Sequence, residues 1–127
     1  MKIFGIGVDI VDHSRIKKSI KSKIFLNRVF SKKEILISKK YKDKTSYFSK
    51  RFAAKEAFSK SLGTGFRNNL NFKDISIVKN DLGKPSFLIT YKIKSLLKKK
   101  FHIKSFNFFL SISDERNYSI AFVIFQK

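Results

Sequence analysis

The stretch FSKRFAAKEAFSKSLGTG, residues 48–65, narrows the folds open to this chain more than any other segment. Phe48, Phe52, Ala54, Phe58 and Leu62 span a wide apolar arc at helical spacing. One long helix is therefore predicted over residues 45–62, stopping at Gly63, with Gly65 just beyond as a turn residue. Arg51 and Lys55 fall inside that arc. Charges at that density on a partly buried element need a ligand, a metal or a partner. Glu56 and Lys60 lie one turn apart on another flank, where an ordinary surface ion pair worth ~0.3–0.5 kcal/mol is the competing explanation.

Strands and short helices are expected around this helix. Residues 3–11 are apolar on both faces, the pattern of a strand near the middle of a sheet. Asp12 then caps a helix beginning near His13, with Ile16 and Ile20 one turn apart. Residues 25–30 give a short apolar helical patch, and Ser31 with Glu34 makes a capping box for the next turns. Residues 72–79 read as a strand. The turn signal NDLGKP, an extended segment at 86–89 and a helix over 90–99 follow. In FNFFLSIS, Phe106, Phe108, Leu110 and Ile112 share one strand face, and YSIAFVIF repeats that period with Tyr118, Ile120, Phe122 and Ile124. The expected architecture is an α+β domain, a sheet with helices packed against it, whose first and last strands are internal.

At 127 residues the chain suffices for one domain with a hydrophobic core, residues 1–127, and no repeat or linker divides it. Without cysteine there is no disulfide framework, thiolate nucleophile or thiolate metal site, and His13 and His102 lack metal-binding spacing. The opening MKIFGIGVDIV is too short an apolar run for a signal peptide or a membrane span, so a cytoplasmic protein without membrane insertion is expected. The formal charge of +20, from 29 basic against 9 acidic residues, favours polyanions, acidic proteins or anionic membranes without choosing among them. The abundance of lysine beside Ile, Asn and Phe is also what an A+T-rich coding bias produces. A small nucleic-acid-binding module is the rival reading from charge. It lacks an aromatic-basic signature, a recognition-helix pattern and zinc-finger spacing.

Asp9 stands between Val8 and Ile10 in the most hydrophobic strand, so its carboxylate is expected to be partly buried and to require a cation or amides beside it. A divalent ion is one solution; a lysine or backbone amides at the strand end are the alternatives. Paired with Glu56, Asp9 would offer two oxygen ligands from separate elements, a set that suits Mg²⁺, which keeps waters and takes further ligands from substrate phosphates. Lys60, Gly63, Gly65 and the turn Gly83, Lys84, Pro85 have the chemistry to complete a phosphate site, although the spacing is not that of a P-loop. The plain alternative for either glycine cluster is a helix stop or a hairpin turn.

Four segments in order, GIGVDIV at 5–11, KRFAAKEAFSKSLGTG at 50–65, NDLGKP at 80–85 and LSISDERNYSIAFVIF at 110–125, make the chain resemble the holo-acyl-carrier-protein synthase family, the short phosphopantetheinyl transferases. The long KRFAAKEA segment together with both ends of the chain makes the resemblance specific. It implies the 4′-phosphopantetheinyl transferase fold, an antiparallel sheet packed against a long helix. It also implies a role in fatty acid biosynthesis: Mg²⁺-dependent transfer of 4′-phosphopantetheine from coenzyme A to a serine of apo-acyl carrier protein, releasing adenosine 3′,5′-bisphosphate.

By that resemblance Asp9 and Glu56 take the metal-ligand positions and join Lys60 as the catalytic set, with Lys60 at the phosphate near the scissile linkage. Arg51, Lys60, Gly63, Gly83, Lys84 and Pro85 fall to coenzyme A. Arg15 best matches a contact to the acidic carrier protein, with Arg28 a weaker one, and the active site would lie between subunits of a homotrimer. One position departs from a common family form: Asp114 follows the SIS segment where many members have histidine. The acceptor of the carrier serine's proton is then metal-bound water, Glu56 or Asp114.

Overall fold

Two glycines let the first strand lie directly on the long helix. A Cβ placed on Gly5 would sit 2.0 Å from the Ser61 carbonyl oxygen, and one on Gly7 would sit 1.9 Å from that of Ala57. Any larger residue at either position would push the two backbones apart. The strand is β1 (Ile3–Asp12) and the helix α4 (Lys44–Ser61), one residue from the expected bounds at each end. Between them run α1 (His13–Ser19), α2 (Lys23–Val29) and α3 (Lys32–Ser38). Beyond α4 come a 3₁₀ turn (Phe72–Asp74), β2 (Ser76–Lys79), β3 (Pro85–Leu88), α5 (Tyr91–Phe101), β4 (Asn107–Asp114) and β5 (Tyr118–Gln126). The computed structural model describes residues 2–63 and 70–127. Gly65 lies outside the described residues.

Local signals set the helix starts. Asp12, Ser22, Asp43 and Thr90 each accept a backbone N–H from the first turn of α1, α2, α4 and α5, and Ser31 with Glu34 closes the capping box of α3. No helix of the described residues is long and apolar enough to cross a membrane.

An antiparallel sheet ordered β1-β5-β4 covers one side of α4, and β2 pairs antiparallel with β3 as a separate hairpin lying against β4. Phe58 of α4, Phe87 of β3, Phe108 of β4 and Phe125 of β5 meet where helix, hairpin and sheet converge. Ring centroids there are 4.5 Å (Phe58 to Phe108), 4.8 Å (Phe58 to Phe87) and 4.4 Å (Phe108 to Phe125). Aromatic packing of this kind contributes beyond its buried area.

Two expectations need correction, and a third, the period in β5, gains its direction. β1 is an edge strand of the described sheet and only β5 is internal. The double apolar pattern of β1 arises because one face packs on α4 while Ile6, Val8 and Ile10 form the outer face of the sheet. In β5 the alternation holds, but Ser119, Ala121, Val123 and Phe125 point to the core, and Tyr118, Ile120 and Phe122 point outward. Residues 72–79 are not one strand, since a 3₁₀ turn takes the first part. The outer face, with Ile6, Val8, Ile10, Phe109, Ile120 and Phe122 each 40–61% exposed, is an apolar surface of the kind that marks an interface.

Candidate active site

The close approach of Gly7 to Ala57 and Ser61 sets the position of the charged residues beside them. Asp9, two residues along β1, shares the inward face of the strand with Gly7, while Glu56 and Lys60 directly precede Ala57 and Ser61 on α4. Lys60 Nζ donates to Asp9 Oδ1 at 3.1 Å and to the Val8 carbonyl at 3.0 Å. The lysine alternative for Asp9 is thus realised, and the partner of Lys60 is Asp9 rather than Glu56. Lys60 remains half exposed, so the pair is worth less than about 1 kcal/mol.

Glu56 is half-buried and, among the described residues, makes no hydrogen bond or ion pair. Burial pushes its carboxyl above the ordinary glutamate value and the charge of Asp9 pushes it the same way, against the opposing effect of Lys60 and Arg15. Arg15 projects from α1 over the Phe52 ring, 5.6 Å from its centroid, so the first helix contributes one cation to this cluster. Two hard carboxylates brought together from separate elements form a donor set suited to Mg²⁺. No group of three or more His, Cys, Asp or Glu converges among the described residues, so an ion here would draw other ligands from substrate and water.

The ionised form of Glu56 works against folding, because its folded pKa lies above its unfolded one. The penalty is present at neutral pH and vanishes below the ordinary carboxylate range. Glu56→Gln should therefore melt at a higher temperature than wild type at about pH 7 without divalent metal, and the gap should close towards about pH 4. Thermal melts across that range check it; an equal or lower Tm at neutral pH would contradict it.

Arg51 lies elsewhere. Five residues before Glu56, it is about 7.5 Å along α4 and roughly 140° around it. It is buried, its guanidinium lies 3.6 Å from the Tyr47 ring centroid, and it donates to the Tyr47 carbonyl at 3.1 Å. Its Nε has no hydrogen-bond partner among the described residues. Burial pushes the Tyr47 hydroxyl up to about 12, so the ring stays neutral beneath the cation. A pocket of about 190 Å³ opens here between Lys50, Arg51, Lys79, Gly83, Pro85 and Asp114.

The Gly83 turn is a hairpin turn, as its plain alternative held: Gly83 has φ 83°, and Asn80 Oδ1 accepts from the backbone N–H of Leu82 and Lys84. Gly63, with φ 77°, ends α4 just past Lys60. Within one chain the hairpin lines the pocket of Arg51, so the expected joining of Lys60 and Gly63 with Gly83 and Pro85 into one phosphate site is not seen among the described residues. Lys84 is exposed on that turn, and Arg28 is exposed in the last turn of α2.

Asp114 accepts from Ser46 Oγ at 2.9 Å, which anchors it beside the first turn of α4, about 15 Å along the axis from Glu56. It cannot share a proton with Glu56 of the same chain. His13 bonds Ser119 Oγ at 2.7 Å and ties α1 to β5. Of the ligand, metal or partner that the charges of α4 were expected to need, Lys55 has a partner within the chain, for its ammonium meets Glu34 Oε1 at 2.7 Å in the core. Sequence reasoning saw the capping role of Glu34 and the buried setting of Lys55. It missed their pairing, for which the only signal was one acid and one cation, each alone among apolar neighbours.

The profile of the 4′-phosphopantetheinyl transferase superfamily matches residues 5–123. A holo-acyl-carrier-protein synthase of Pelagibacter ubique (strain HTCC1062) is 65% identical over 127 residues, covering 100% of this chain and 99% of its own. The crystal structure of the Neisseria meningitidis holo-acyl-carrier-protein synthase superposes with a TM-score of 0.88 at 37% identity, over 99% of this chain and 100% of that one. The Helicobacter pylori synthase, solved in complex with coenzyme A, gives 0.78 at 36% identity, over 95% of this chain and 99% of that one.

Proposed function

This chain belongs to the 4′-phosphopantetheinyl transferase superfamily, and from that premise we propose how its residues divide the work of transfer. It is a holo-acyl-carrier-protein synthase: it moves 4′-phosphopantetheine from coenzyme A to a serine hydroxyl of apo-acyl carrier protein and releases adenosine 3′,5′-bisphosphate. The observation that best supports the placement of chemistry is the meeting of Asp9 and Glu56 beside Lys60, fixed by the contact of Gly7 with α4.

Asp9 and Glu56 would hold Mg²⁺, which when bound would supply positive charge against the phosphate charge that develops during transfer. Lys60, mobile and half exposed, moves from Asp9 to the pyrophosphate and neutralises charge during transfer. Arg15, already beside Glu56, meets the acidic carrier protein and brings its serine to the cluster, with Arg28 a more distant contact. The serine oxygen attacks the phosphorus that bears pantetheine, and the bond from that phosphorus to the oxygen of the departing bisphosphate breaks. The serine proton leaves at the Asp9 and Glu56 cluster rather than at Asp114, which Ser46 anchors by the other end of α4. Arg51, with Gly83, Lys84 and Pro85, receives the nucleotide end of coenzyme A.

In one chain the pocket of Arg51 and the cluster of Glu56 lie on different sides of α4. A neighbouring copy that presents its pocket to this cluster would complete the site, and the exposed apolar face of the sheet supplies the contact. We therefore place the active site between copies of a homotrimer. Phe122→Asp, in the middle of that face opposite Val8, should convert the assembly to monomers and abolish transfer while the inward face of β5 is unchanged. Light scattering beside the transfer assay checks this; a trimeric, active variant would remove the sheet face from the interface. We place the enzyme in the cytoplasm.

The test of function is incubation with coenzyme A, Mg²⁺ and apo-acyl carrier protein. A carrier mass increased by one phosphopantetheine is expected, and no increase across metals and pH would overturn the reading. The nucleic-acid alternative rests on the +20 charge alone.

A further inference from the structure

Lys55 and Glu34 form the one fully buried ion pair among the described residues, and neither has a part in the chemistry above. All three donors of the ammonium are engaged: with Glu34 Oε1, with the Phe72 carbonyl at 2.9 Å and with the Ile75 carbonyl. Both Glu34 oxygens are engaged too, Oε1 also accepting from the Ser31 N–H at 3.0 Å and Oε2 from the Ile77 N–H at 3.1 Å. Burial pushes the Lys55 pKa down while the Glu34 carboxylate holds it up. An apolar pair would fill this space with a smaller desolvation cost. It would also take from the Ile75 carbonyl and the Ile77 N–H the side-chain partners they have here.

Those backbone groups belong to the 3₁₀ turn and to β2, the segment that leads into the pocket wall. Ile77 lines the pocket, and so do Lys79 at the end of β2 and Gly83 and Pro85 beyond it. The opposite wall is Arg51, one helical turn before Lys55 on α4. The chain Lys55, Glu34, Ile77 thus spans from the helix that carries Arg51 to the strand that carries the other wall. Ser31 Oγ and Ser76 Oγ, hydrogen-bonded at 2.7 Å, tie α3 to the same strand. On the opposite side of the helix, the backbone contacts of Gly5 and Gly7 hold α4 against β1.

We infer that Lys55, acting through Glu34, is a positioning residue for coenzyme A: it sets the width of the pocket between Arg51 and the Gly83 and Pro85 wall. This rests on the assignment of that pocket to the nucleotide end of coenzyme A. The consequence is a division of labour along α4. Lys55 governs how tightly the donor is held, while Glu56, the next residue, governs the transfer step.

The test uses the full-length chain with Lys55→Met, which keeps the length of the side chain and removes its charge and donors, and Glu34→Gln, which keeps the capping geometry and removes the ionic partner. Coenzyme A binding by calorimetry, transfer kinetics and thermal melting are measured on each. In the variants that fold, the coenzyme A Kd and KM should rise on the order of tenfold, as displacing a binding wall by a fraction of an ångström to an ångström implies. The kcat and the KM for carrier protein should stay within about threefold. A folded variant with wild-type coenzyme A affinity would overturn the proposal, and so would a fall in kcat at unchanged coenzyme A KM. If neither variant folds, the pair is structural only and the proposal falls. If wild-type protein itself binds no coenzyme A, the functional reading fails first and takes the proposal with it.

Discussion

Gly7→Ala is expected to cost about 3 kcal/mol of folding stability, a large share of what a chain of this size has. The added methyl would lie 1.9 Å from the Ala57 carbonyl oxygen and 2.8 Å from the Ser61 nitrogen, both of them backbone atoms that no rotamer change can move. Relief requires β1 to lift from α4, and that same movement carries Asp9 away from Glu56 and Lys60. Stability and transfer should therefore fall together, although residue 7 has no reactive group. Urea unfolding followed by circular dichroism gives the first quantity, and transfer at low temperature on the folded fraction gives the second. Gly83→Ala is the control. Its Cβ meets nothing within 4 Å, so only the positive φ of 83° is penalised, at about 1 kcal/mol. A Gly7→Ala chain with the wild-type urea midpoint would show that the strand and helix are less tightly apposed than the geometry indicates.

Asp9→Asn is expected to lower transfer on the order of a thousandfold while leaving the fold intact. The substitution preserves shape and removes one of the two negative charges on which the cation-binding cluster depends. Little stability should be lost, because the partner ammonium of Lys60 is half exposed and can turn to water. Removing Asp9 also removes one of the two causes that hold the Glu56 carboxyl above its ordinary value, so the Glu56 pKa should move down in this variant. Mg²⁺ should raise the Tm of the wild type and fail to raise that of Asp9→Asn. Wild-type turnover in a folded Asp9→Asn chain, or an undiminished thermal response to Mg²⁺, would remove Asp9 from the metal site.

The parts of this molecule that were legible in its sequence are those governed by near neighbours. The bounds of α4, the Ser31 capping box and the inward alternation of Phe108, Leu110 and Ile112 follow from spacing within a few residues, and each is found in place. Apart from the 3₁₀ turn at Phe72–Asp74, a local break, the failures concern partners distant along the chain. Alternation in β5 gives a period and no direction, because either face of YSIAFVIF is apolar enough to be the core. The choice is made by the pairing of Val123 with Gly7 and by the helix that glycine admits. Lys55 and Glu34 are equally opaque, each explicable locally, one as a misplaced cation and the other as a capping acid. The site shows the same limit. Asp9, Glu56 and Lys60 come together as expected, yet the Gly83 turn, grouped with them on chemistry, lies with Arg51 on another side of α4, as the helical rotation between residues 51 and 56 requires.

The central place of β5 in the sheet also bears on synthesis. β1 finds its only described strand partner there, Ile10 opposite Ile120 and Val8 opposite Phe122. At the usual 5–20 residues per second of translation, the first strand waits roughly 5–20 s on the ribosome before its neighbour exists. During that time its outward row of Ile6, Val8 and Ile10 and its unpaired amides are both open to the wrong partner. The sheet must therefore close late, by a long-range encounter, and slow folding with a need for shielding of the nascent amino-terminal strand is the consequence of this strand order.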